Sequence, residues 1–148
     1  MQCFDQVYTA VPATEEQVLL PYALRQRSRV CIDRPDGSSF GLVVPRGQTL
    51  RAGLALADAA GQVIRIVAAP ERLTAVTGLD SAGFARVCYH LGNRHTQLEI
   101  GDQMLWFLPD HVLEQLCLSW GGQVSSVERP FSPEVGAYAN GPHGHAHD

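Results

Sequence analysis

Six histidines carry the chemistry this sequence can offer, and all of them follow residue 89. His90 and His95 sit at either end of the stretch His90-Leu91-Gly92-Asn93-Arg94-His95, and His111 follows Asp110. His143, His145 and His147 alternate with small residues close to the C-terminal end. Neutral imidazole is a ligand of intermediate softness, suited to nickel, copper and zinc. In an extended segment, side chains at i, i+2 and i+4 fall on one side and can converge on one ion. Residues 143–147 therefore read by composition as a metal-binding tract. A segment that must be ordered in order to bind holds its ion less tightly, which suits a metal that is to be handed on.

His95 depends on the element before it. Phe84, Val87, Cys88 and Leu91 fall at i, i+3, i+4 and i+7, one apolar stripe of a short helix. Gly92 is the residue that most easily takes a left-handed C-terminal cap, so the helix is expected to stop at Leu91. Arg94 and His95 are then left in the turn that follows. His90 and His95, five positions apart, are separated by about 140° around a helix and do not share a metal locally. His95 must find its partner elsewhere in the fold or on another molecule. His90 reads as a surface or interface histidine. His111 occupies a first helical turn, where the helix dipole disfavours its protonated form; neutral, it could serve as an extra ligand.

The elements that position these residues divide at residue 70, where Ala68-Ala69-Pro70-Glu71 interrupts the pattern. Residues 1–70 contain apolar, β-branched runs at 18–20, 29–32, 40–44 and 63–67. Turn signals at Pro35-Asp36-Gly37, Arg46-Gly47 and Ala60-Gly61 separate most of them. A β-rich domain, sandwich or barrel, is expected. Arg25, Arg27 and Arg29 alternate with Gln26 and Ser28. They are expected to share one strand face, either a solvated edge or a docking surface for a partner.

Residues 71–132 read as βαββαβ, a ferredoxin-like split. A strand at 73–77 leads to a helix capped by Asp80 or Ser81. Strands at 97–100 and 103–108 flank Gly101-Asp102, a type II′ hairpin signal. Asp110 then caps a second helix whose Leu113, Leu116, Cys117 and Trp120 repeat the i, i+3, i+4, i+7 stripe. Gly121-Gly122 ends it, and residues 123–131 return as a strand. Each stripe has a cysteine in third place, which assigns Cys88 and Cys117 to the core. Residues 133–148, broken by glycine and proline, are expected to form a flexible histidine-bearing tail. The fold class is thus α+β.

Composition narrows the function. The chain has 148 residues, 11 Lys+Arg against 15 Asp+Glu, and no lysine. Residues 1–72 sum to +1 and residues 73–148 to −5. Nucleic acid favours a basic surface, and the aromatic run 104–108 has no basic residue of the kind an RNA-binding strand carries. A zinc hydrolase needs three fixed ligands and an open position, and no HExxH is present; an enzyme is not expected. No apolar run approaches bilayer length. The first residues lack the basic and apolar regions of a signal peptide, so a cytoplasmic address and reduced cysteines are expected. The spacing of Cys3, Cys31, Cys88 and Cys117 does not suggest zinc.

Several segments resemble one family. Tyr89-His90-Leu91-Gly92-Asn93-Arg94-His95, with Gln97-Leu98-Glu99-Ile100 and Leu108-Pro109-Asp110-His111-Val112-Leu113, looks like the UreE urease accessory proteins. Arg46-Gly47-Gln48-Thr49-Leu50-Arg51-Ala52-Gly53 is similar to a turn motif of that family, and the histidine-bearing C-terminus extends the likeness over nearly the whole chain. The resemblance implies a nickel metallochaperone that delivers Ni²⁺ during urease maturation, working with an accessory GTPase and the urease apoprotein complex. Zn²⁺ or Cu²⁺ could occupy the same ligands. It also implies a homodimer formed through the C-terminal domains, with the Gly-Asn-Arg-His histidine of each subunit meeting at the interface. That role carries over to His95. The N-terminal domain is implied to be a peptide-binding-like module. Two departures stand out. Where some relatives have a His-x-His pair at the second helix, only His111 is present here. The tail is also short, so bulk nickel storage is not implied. The rival reading is a cytoplasmic nickel or zinc buffer or sensor without a delivery partner.

Overall fold

The computed structural model describes residues 1–8 and 16–135. The chain forms two compact units, Met1–Pro70 and Glu71–Asp148.

The first unit holds β1 (Gln2–Phe4), β2 (Gln6–Val7), β3 (Glu16–Leu20), α1 (Tyr22–Arg25), β4 (Arg29–Asp33), β5 (Ser39–Val43), β6 (Ala55–Ala57) and β7 (Val63–Ala68). They make a three-stranded sheet in the order β1-β5-β4 and a four-stranded sheet in the order β2-β6-β7-β3. Alternation sorts the side chains. On β5, Phe40 and Leu42 are buried with Phe4 of β1, and Phe4 meets Phe40 edge to face with ring centroids 5.7 Å apart. Leu20, Leu50, Leu56, Ile64 and Ile66 complete this core. At about 1.5–3 kcal/mol for each fully buried large aliphatic or aromatic side chain, it is the main term holding the unit together.

The three arginines do not share a strand face. Pro21 ends β3 and opens the single turn α1, whose Arg25 is only 5% exposed. The Nε of Arg25 donates to the carbonyl of Leu20 at 3.0 Å, and its guanidinium lies 5.5 Å from the Tyr22 ring centroid. Arg27 falls in the bend after α1, and Arg29 alone begins a strand. The alternation expected from sequence fails because proline restarts the backbone as a helical turn.

The second unit contains β8 (Pro70–Thr77), α2 (Ser81–Asn93), β9 (Glu99–Ile100), β10 (Leu105–Phe107), α3 (His111–Ser119) and β11 (Gln123–Pro130). The sheet order β11-β8-β10-β9 is the ferredoxin-like arrangement of a βαββαβ chain. Asp80 and Asp110 cap the two helices, accepting from the N–H of Gly83 at 2.7 Å and of Leu113 at 3.1 Å. Val87 and Leu91 of α2 and Leu113 and Cys117 of α3 are buried against Val76, Leu105 and Phe107 of the sheet. Phe84, Cys88 and Leu116 line the margin of this core.

The hairpin turns one residue later than Gly101-Asp102. Leu105 pairs with Ile100, and Gly101 N–H donates to the Met104 carbonyl at 2.8 Å, which leaves Asp102 and Gln103 at the corner. Gln103, not glycine, takes the positive φ of 56°. Gly101 is needed for another reason. A Cβ there would lie 2.9 Å from two ring carbons of Trp106, which packs over it. The strands are also shorter than expected, because only residues 99–100 and 105–107 pair.

Candidate metal centre

His95 is placed by the end of α2, which runs two residues past Leu91. Gly92 and Asn93 stay helical, and Arg94 is the C-cap with φ −87° and ψ 9°. His95 then takes the left-handed conformation, φ 57°, that Gly92 was expected to supply. Its N–H donates to the Gly92 carbonyl at 3.0 Å, and the Thr96 N–H donates to the Leu91 carbonyl at 3.1 Å. These two bonds form a Schellman motif with histidine in the position usually held by glycine. A left-handed residue with a side chain costs on the order of 1 kcal/mol, although histidine tolerates the region better than most. Strain of this kind clusters at functional positions. The outcome is an exposed imidazole on a backbone fixed from both sides.

The other described histidines are held differently. His90, on the exposed side of α2, stacks on Trp120 with ring centroids 4.9 Å apart and planes at 27°. Tyr89 meets the same ring edge-on at 5.2 Å. Trp120 is therefore not a core residue of α3. It caps that helix at the surface, 36% exposed, and lies against His90. His111 begins α3, exposed and directly after the Asp110 cap. Among the described residues, no three histidine, cysteine, aspartate or glutamate side chains converge on a point that could hold an ion. His143, His145 and His147 lie outside the described residues.

The thiols of this unit are poor ligands. Burial first, then the nearby Cys88 and Glu114, pushes Cys117 up to about 11. Burial also raises Cys88. Both stay protonated at neutral pH, and metal prefers thiolate.

A latch brings residues 129–134 back toward the His95 loop. Glu99 accepts from Arg129 at 2.6 Å and from the Ser132 N–H at 2.8 Å, and the Arg129 guanidinium lies 3.8 Å from the Trp106 ring centroid. Phe131 is fully buried, and the Glu134 N–H donates to the carbonyl of Leu98 at 2.6 Å. Residues 132–134 thus run beside Leu98 and Glu99, three and four residues after His95. Sequence reasoning missed this, because Ser132 and Pro133 carry turn signals and the bonds that fix them are long-range.

The comparisons with known proteins agree along the chain. Residues 5–69 match the UreE urease accessory protein, N-terminal domain, and residues 71–148 match the UreE urease accessory protein, C-terminal domain. A urease accessory protein UreE of Alkalilimnicola ehrlichii is 44% identical, over 97% of this chain and 96% of its own length. That of Psychromonas ingrahamii is 37% identical over 99% and 97%, and that of Pseudomonas putida is 43% identical over 90% and 81%. With both of its domains matched, the chain belongs to the UreE family of urease accessory proteins.

Proposed function

We propose that this protein is a nickel-binding metallochaperone that delivers Ni²⁺ for assembly of the urease active site. It works in the cytoplasm as a homodimer joined through the C-terminal domains. The observation that carries this reading is His95, an exposed imidazole on a fixed left-handed backbone. One imidazole per chain is half a site at best, and no described cluster completes it within the chain. A second His95 from the partner subunit supplies the matching imidazole, and water or the tail histidines fill the positions that two imidazoles leave open.

The tail supplies further ligands. Glu134 is bonded to Leu98, three residues from His95, and His143 follows Val135 by eight residues. Eight residues span up to about 26–29 Å when extended, more than enough for His143, His145 and His147 to return to His95. His111 is a candidate only if the tail or partner brings further donors to it. The accessory GTPase and the urease apoprotein complex are the partners this role requires. Ligands with replaceable members let the metal leave, which is what delivery needs and storage does not.

The test is calorimetric titration of Ni²⁺ into wild type and His95→Ala, with mass measured alongside. Wild type takes one tight ion per dimer, and His95→Ala loses that event while keeping its helical signal. Binding weakens on acidification because protons compete for the imidazole nitrogens. A tight site that survives in His95→Ala refutes the interface reading. Failure of the wild-type protein to raise urease activation in a reconstituted assay favours the buffer or sensor.

A further inference from the structure

The outer face of the three-stranded sheet gathers three sulfur atoms over one glycine. Gly41 on β5 pairs with Cys3 on β1 and, across its other edge, with Cys31 on β4. Residues paired across strands project to the same face, so both thiols flank a position that has no side chain. The Sγ of Cys3 lies 3.7 Å from where a Cβ of Gly41 would stand, and the Cε of Met1 lies 3.9 Å from the same point. Met1 therefore lies across the glycine between the two cysteines, and the Cys31 thiol donates to its Sδ at 3.7 Å. The face is open to solvent: Cys31 is exposed, and Met1 is 84% exposed.

Two readings of paired cysteines must be separated. Strands lie about 4.8 Å apart, so the Cα atoms of Cys3 and Cys31, two strands apart, are roughly 10 Å from each other. A disulfide needs about 4.4–6.8 Å, so direct bonding would tear the sheet. An ion between the sulfurs removes that conflict, since it bridges what a bond cannot. Thiolate and thioether are soft donors of the kind taken by Cu(I) and zinc. Structural zinc fills a tetrahedron of four Cys, His or carboxylate ligands, so three sulfurs that include a thioether suit Cu(I).

The geometry points to a Cu(I) site formed by Cys3, Cys31 and the thioether of Met1 in the cradle above Gly41. It is separate in residues and in donor type from the imidazole set proposed for nickel. Loading forms three copper–sulfur bonds and releases the protons of the two thiols, with no change of oxidation state. Occupancy therefore falls as pH is lowered.

The test uses the full, reduced chain under anaerobic conditions, with Cu(I) offered from a chromogenic chelator that reports what the protein removes. Wild type is expected to withdraw one Cu(I) per chain and to show a near-ultraviolet thiolate-to-copper band. Cys31→Ser, an exposed position, and Cys3→Ser each weaken binding by more than tenfold. Gly41→Val fills the cradle with a strand-favouring side chain, so it keeps the fold and loses the band. His95→Ala and Cys88→Ala keep it. No withdrawal by wild type, or an undiminished band in the Cys3→Ser, Cys31→Ser double variant, overturns the proposal.

Discussion

The two helices of the second unit end in the same hydrogen-bonded motif with different residues at its special position. At the end of α3, Gly121 has φ 87° and donates to Leu118, while Gly122 donates to Cys117. At the end of α2, His95 has φ 57° and donates to Gly92, while Thr96 donates to Leu91. The bonds correspond one for one. Glycine makes the left-handed residue free of steric cost, whereas histidine carries that cost and presents an imidazole. Where stability alone is served, the position holds glycine; where the chain can do chemistry, it holds the residue that can do it. A stability–function compromise of this kind is expected at a binding site.

The largest effect should come from making the two ends alike. His95→Gly is predicted to weaken the tightest nickel event by more than about a hundredfold, since even residues that only support a ligand are worth 10–100-fold. Its folding stability should stay within about 0.5 kcal/mol of wild type, because relief of the left-handed strain offsets the entropy glycine adds to the unfolded chain. Titration and urea unfolding on the same samples check both halves. A large loss of stability would mean that the imidazole is structural.

The residue that starts each motif differs too, Leu91 in α2 and Cys117 in α3. A thiol raised from 9.0 to about 11 in the fold binds its proton when the unfolded chain has already lost it. Its contribution is fully present below pH 9 and is lost as pH climbs from 9 to about 11. That rise is worth about 2–3 kcal/mol. Wild type should therefore lose that much stability over this range, and Cys117→Ala should show a flatter alkaline limb. Equal slopes in the two proteins would contradict the assignment.

Gly121→Ala should destabilise by about 1 kcal/mol, because alanine must enter the left-handed region with no ligand role to offset it. Thermal unfolding reads this directly, and an unchanged midpoint would show that the turn relaxes to another conformation.

The smallest effect should come from the contact that joins the two helices. His90→Ala removes the stacking on Trp120, worth less than about 1 kcal/mol at an exposed site. The tightest nickel event should be unchanged. Loss of that event in His90→Ala would put His90 into the metal centre beside His95.

What the sequence determined alone is local or periodic. Asp80 and Asp110 cap because a short carboxylate before an apolar stripe has few better uses. The stripes through Val87 and Leu91 and through Leu113 and Cys117 bury against a sheet, since no other arrangement hides them. The order βαββαβ, the β-rich first unit and the family likeness follow from such signals. What only the tertiary structure decided involves choices between residues that look equivalent locally. Gly92 and His95 both follow the stripe, and the fold carries the helical backbone through the glycine and leaves the histidine to turn. Trp120 fits the stripe of α3, but it lies past the last turn and meets His90 instead of the core. Arg25 looked like one of three alternating surface charges until Pro21 turned it inward to the Leu20 carbonyl. Cys3 and Cys31, 28 residues apart in sequence, come to flank Gly41 only because β1 and β4 pair with opposite edges of β5. Long-range strand pairing leaves no mark in the spacing of two cysteines, so that arrangement belongs to the fold alone.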